Sequence, residues 1–157
     1  MEHFSFIEDI YYKPLKTPES ALPSDGGSPH YPASGSMVDV SDFERFGFIV
    51  QAGALVHAIT VQVKQASSKT ETGIKDIDDA NVIFAATDDQ TYKVIEVQVA
   101  KLDINNDFRY VSCEFTGGSN NDYLNAVFYG LHKGDRPVTQ DTGSTAFGCS
   151  DSVSVVG

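Results

Sequence analysis

The sequence predicts an all-β protein, an antiparallel β-sandwich or jelly-roll-like barrel with an extended N-terminal arm. Three observations predict it: apolar residues recur at every second position, turn residues interrupt those runs at short intervals, and no stretch sustains a helical stripe. Ile59, Val61 and Val63 alternate with Thr60, Gln62 and Lys64, and Ile95, Val97 and Val99 alternate with Glu96 and Gln98. That spacing sends neighbouring side chains to opposite faces of a sheet. Further strands are predicted over 38–40, 45–51, 82–86, 109–116 and 123–131, about seven in all, and the last is apolar on both faces and so should be central. Ala52-Gly53, Ser67 to Gly73, Asp88-Asp89, Asp103 to Asp107 and Gly117 to Asp122 read as turns. The alternation slips phase at Val94-Ile95 and at Tyr110-Val111, which predicts a bulge or bend near each. Phe46, Phe48, Phe115 and Phe128 supply the bulky core of a chain without tryptophan, and Cys113 reads as a small core residue.

Composition divides the chain into three parts: an arm over 1–36, a β-sandwich domain over 37–138 and a low-complexity tail over 139–157. Pro14, Pro18, Pro23, Pro29 and Pro32 are five of the six prolines, interleaved with Gly26, Gly27 and several serines. Proline fixes φ and removes a backbone donor, so 13–36 is expected to run extended without regular structure, neither central strand nor helix. Ahead of it stands an apolar patch, Phe4, Phe6, Ile7, Ile10, Tyr11, Tyr12 and Leu15, costly to leave in water and therefore the expected contact with a partner. Residues 1–15 are expected to be dispensable for folding. In the tail, Val153 to Val156 could add as an edge strand.

A formal charge of −11, from 22 acidic and 11 basic residues, argues against nucleic acid or an anionic membrane as partner. No apolar run is long enough to span a bilayer, and Met1 to Phe4 lacks the basic start of a secretory signal, so synthesis in a cytoplasm is expected. Cys113 and Cys149 have neither the spacing of a zinc site nor the number for a disulfide framework. Asp103, Asn105, Asp107 and Glu114 match loop positions of a calcium-binding EF-hand, but Phe108 stands where the loop requires glycine and the flanks read as strands. An Asx-rich hairpin turn is the better reading. Asp76, Asp78, Asp79, Asp88 and Asp89 are expected in solvated turns, and His3, His30, His57 and His132 at the surface. No serine or cysteine has a nucleophile's setting, and Gly117-Gly118 lacks the lysine of a phosphate loop. Neither catalysis nor a metal or other cofactor is expected.

Over 37–138 the succession MVDVSDFERFGFIVQAGAL, ITVQVKQASSKTETGIKDI, VAKLDINNDFRYVSCEFTGG and YLNAVFYGLHKGDRPV is similar to the capsid auxiliary or decoration (cement) proteins of tailed bacteriophages. The whole layout, an apolar patch, a proline-rich arm, a β domain and a low-complexity tail, resembles the same group. The resemblance implies a protein on the outer surface of a virion, made in the host bacterial cytoplasm, that clamps neighbouring capsomers of a major capsid protein and contacts its own copies as a homotrimer. It implies no catalytic residues. Two alternatives stay open: a head-vertex or tail-associated virion protein, and a carbohydrate- or receptor-binding β-sandwich.

Overall fold

Strands with one apolar face must bury it away from water, and two sheets packed face to face do so. The computed structural model, which describes residues 10–20, 28–119 and 121–133, has that arrangement. Its strands are β1 (Ile10–Ser20), β2 (His30–Tyr31), β3 (Val38–Asp39), β4 (Phe43–Ala52), β5 (Ile59–Ala66), β6 (Lys75–Phe84), β7 (Tyr92–Gln98), β8 (Tyr110–Gly117) and β9 (Tyr123–His132). The first sheet has the order β1-β9-β4-β7; the second has the order β2-β8-β5-β6, with β3 also paired to β8. All the pairings are antiparallel. Among the described residues the helical content is two single 3-10 turns, Val99–Lys101 and Ile104–Asn106.

The core lies between the sheets. Phe46, Phe48, Val50 and Phe128 come from the first, and Ile59, Val61, Val63, Val111, Cys113 and Phe115 from the second, all fully buried. Phe128 is the hub of an aromatic cluster, 5.5 Å from Phe48, 6.1 Å from Phe46 and 6.0 Å from Phe43 between ring centroids. β9 is central, as its two apolar faces predict, flanked by β1 and β4. Burial pushes the Cys113 thiol far up from its ordinary value, so it packs as an inert apolar group.

Three expectations need correction. The segment expected to lack regular structure from residue 13 instead supplies an edge strand: β1 pairs with β9 from Ile10 opposite Leu131 to Ser20 opposite Tyr123. An edge strand pairs on one side only, so it tolerates Pro14 and Pro18, with register shifts between Pro14 and Lys16 and between Lys16 and Glu19. Removing residues 1–15 would therefore not leave the fold intact, because Leu15, within that span, is in the core and Tyr11 packs against it. Neither expected bulge is present at 94–95 or 110–111: β4 and β7 stay in register throughout, and so do β5 and β8. The phase slip is absorbed by leaving Val94 outward and exposed, and Tyr110 half-buried at the start of its strand. The shifts fall instead between Phe43 and Arg45 and between Gln62 and Lys64. Phe4, Phe6, Ile7, His3, Cys149 and the tail over 139–157 lie outside the described residues.

Candidate interaction surface

Because strands alternate, the N-terminal apolar run divides between two faces. Tyr11 and Leu15 turn inward, with Tyr11 5.7 Å from Phe43 and 6.1 Å from Phe128. Ile10 and Tyr12 turn outward, where register sets Tyr12 opposite Tyr129 on β9, Tyr129 opposite Gly47 on β4, and Gly47 opposite Glu96 on β7. The next row carries Val127, Ile49 and Val94. These side chains line a shallow depression of about 330 Å³ on the outer face of the first sheet: Ile10, Tyr12, Ile49, Val94, Val127 and Tyr129. Ile49 and Val94 are 37% and 46% exposed, and Tyr92, beyond them on β7, is 71% exposed.

Glycine at position 47 makes this face possible. A Cβ there would stand 2.5 Å from the Ile95 carbonyl oxygen and 2.5 Å from Tyr129 Cζ, so the tyrosine ring lies over the glycine. Its hydroxyl donates to Glu96 Oε2 at 3.0 Å, and Arg45 Nη1 sits 3.1 Å from Glu96 Oε1. Burial, and then the neighbouring carboxylate, push the Tyr129 hydroxyl up to about 12, so it remains a neutral donor. The polar group at the rim orients the ring and leaves its body in the apolar depression.

The outer face of the second sheet is chemically opposite. Lys64 Nζ lies 2.9 Å from Glu114 Oε2 and also pairs with Asp76, while His30 lies 3.0 Å from both Glu71 and Glu114. Burial pushes the Glu114 carboxyl up, but hydrogen bonds from Lys64 and His30 outweigh it and hold the group below its ordinary range. His30 is thus half-buried and doubly paired, contrary to the surface position expected of it.

At one end of the sandwich, Asp122 is fully buried and accepts from the backbone N–H groups of Val56, His57 and Ser119, the His57 ring and the Ser119 hydroxyl. Burial opposes its charge, yet these donors together lower it to about 2. It joins the 53–58 loop to the turn before β9, a turn that requires Gly117 at φ +83°, where a Cβ would meet the Ala58 carbonyl oxygen at 2.7 Å. The EF-hand-like segment is a turn of the same kind. Asp103 pairs with Lys75 at 2.5 Å and accepts from Asn106 at 2.8 Å, while Glu114 belongs to the ion-paired sheet face. Asp88 pairs with Lys93, and Asp89 accepts from the Leu55 N–H. Among the described residues no three His, Cys, Asp or Glu side chains are grouped to hold a metal ion, and no helix is long and apolar enough to cross a membrane.

The predicted contact residues Ile10 and Tyr12 are therefore brought together with four residues that the sequence reading missed, Ile49, Val94, Val127 and Tyr129. The phase slip at Val94 was the signal that could have found them: an apolar residue at an outward position belongs to a surface that is apolar on purpose or to a bulge, and register decides which. No family model, curated protein or solved structure matches the chain.

Proposed function

We propose that this protein is a non-enzymatic virion structural protein that decorates and stabilises a bacteriophage capsid, holding neighbouring capsomers through the apolar outer face of the first sheet together with its N-terminal segment. One observation carries the reading. The chain's N-terminal apolar run enters the sandwich at Ile10 and lays alternate residues beside Ile49, Val94 and Val127, on a face that is apolar although the chain as a whole is strongly acidic. Apolar area left in water costs about 25 cal/mol per Å², and contiguous apolar surface is a common mark of an interaction site. The exposed apolar side chains of this face supply attachment through contact rather than through charge. Copies meet as a trimer at a local threefold of the shell.

The test is sedimentation with particles. The native chain is expected to band with capsids in many copies, and the double variant Ile49→Glu with Val94→Glu, at exposed positions, is expected to fold and remain in the supernatant. A deletion testing the N-terminal segment should end at Asp9, because Ile10 begins β1. Full attachment of the double variant would move the contact elsewhere on the sandwich. A native chain that never bands with particles would favour the carbohydrate- or receptor-binding alternative, for which exposed Tyr92 and Tyr123 offer stacking surfaces.

A further inference from the structure

His30 occupies a position in the fold that its chemistry makes conditional. It is one of the two residues of β2, the short strand that covers β8 at Cys113 and Glu114. Its Nδ1 is 3.0 Å from Glu71 Oε1 and its Nε2 is 3.0 Å from Glu114 Oε1. A neutral imidazole carries one N–H and can donate to only one of these carboxylates; its other nitrogen would direct a lone pair at an anionic oxygen. Only the imidazolium satisfies both.

The surrounding groups hold the carboxylates in place. Glu114 also receives Lys64, which in turn pairs with Asp76 on β6. Glu71 sits in the left-handed region at φ +67°, a conformation that non-glycine residues hold only where the surroundings impose it. Its loop is braced internally, with Ser68 Oγ accepting from the N–H groups of Thr70 and Thr72 and the Ser67 N–H donating to the Thr72 carbonyl. Beyond the ring contacts the segment is held by its pairing with β8, by the Phe115 N–H donating to the Pro29 carbonyl at 3.0 Å, by the Cys113 thiol donating to the Tyr31 carbonyl at 3.3 Å, by Tyr31 packing on Phe115, and by the Gly35 N–H donating to the Lys69 carbonyl at 2.8 Å.

We propose that residues 29–36 are a pH-operated strap: doubly protonated His30 latches β2 onto the edge of β8 and onto the 67–74 loop, and loss of one ring proton releases the strap and uncovers that edge. The latch is complete while the ring holds both protons and fails as rising pH removes one. On the acid side the pairing with Lys64 and His30 delays protonation of Glu114 and so preserves that arm of the latch. The proposal is independent of what the opposite face binds.

Amide hydrogen exchange of the full chain tests it, because the Phe115 N–H points to the strap. After correction for intrinsic exchange, its protection is expected to fall at least tenfold between about pH 5 and about pH 8. The Val63 amide, on β5 inside the sheet, should keep its protection. In His30→Gln the step should vanish, leaving low protection at both values. In Glu71→Gln the step should also vanish, but with protection high at both, since the introduced carboxamide can donate to a neutral ring. Equal protection of the native chain at the two pH values would overturn the proposal, as would an undiminished step in either variant.

Discussion

The two outer faces of the sandwich are built from the same kind of strand and have opposite chemistry. On the first sheet the outward side chains of Tyr12, Tyr129, Val127, Ile49 and Val94 form an apolar area, with Glu96 and Arg45 at one rim and Gln51 and Asn125 at the other. On the second, the outward positions of β5 and β8 carry Lys64 and Glu114, joined to His30, Glu71 and Asp76 in a charge network. The charged groups of the second face satisfy one another in water; an apolar face has no such internal solution. The difference is the reason recognition is proposed on the first sheet, while the ion pairs of the second tie the chain's own segments together.

The largest expected effect tests the dependence of both faces on one core. Phe128→Ala empties the hub of the aromatic cluster and should cost about 3–5 kcal/mol, measured by denaturant unfolding, with both faces lost together. Next comes the carboxylate that ties the sheets at one end. Asp122→Asn should cost on the order of 2 kcal/mol at neutral pH. The sign follows from its lowered value of about 2: the contribution is fully present above the unfolded-state value, about 3.9, and is lost as pH falls through about 2. The gap in stability between native and variant should therefore close in acid, and a constant gap would assign the loss to packing.

Gly47→Ala should act on the apolar face specifically. The added Cβ meets a backbone oxygen that cannot swing away, so a loss of about 1–3 kcal/mol is expected, with displacement of the Tyr129 ring visible in its aromatic NMR signals. The smallest effects sharpen the contrast. Ser112 Oγ on the charged sheet is buried without a hydrogen-bond partner among the described residues, so Ser112→Ala should be neutral or stabilising by up to about 1 kcal/mol in thermal melts. Val94→Thr should change stability by less than about 0.5 kcal/mol while reducing binding of a hydrophobic dye.

Much of the fold was legible in period-two text. β5 and β9 lie close to where alternation and two-sided apolarity put them, and the four predicted core phenylalanines are all fully buried, because a strand's side-chain period is a local property of the backbone. The arm was legible only in part. Proline content correctly excluded a central strand, but it could not show that an edge of β9 was open to pair with β1, since edge position is created by the order of strands and not by any one of them. The candidate surface was legible only at Ile10 and Tyr12, which stood out as apolar residues near the start, and their partners lie far along the chain.

By itself, then, the sequence determined the class of fold, the two-faced alternation of its strands, the bulky residues of the core and the acidic charge of the chain. Only the tertiary structure decided that Tyr11 and Leu15 belong inside while Ile10 and Tyr12 belong outside, that Val94 is an exposed apolar residue instead of a bulge, and that His30 meets Glu71 and Glu114. The physical reason is range. Periodicity and turn chemistry act over a few neighbouring residues, whereas register, edge position and the meeting of residue 30 with residue 114 exist only when strands distant in sequence have paired.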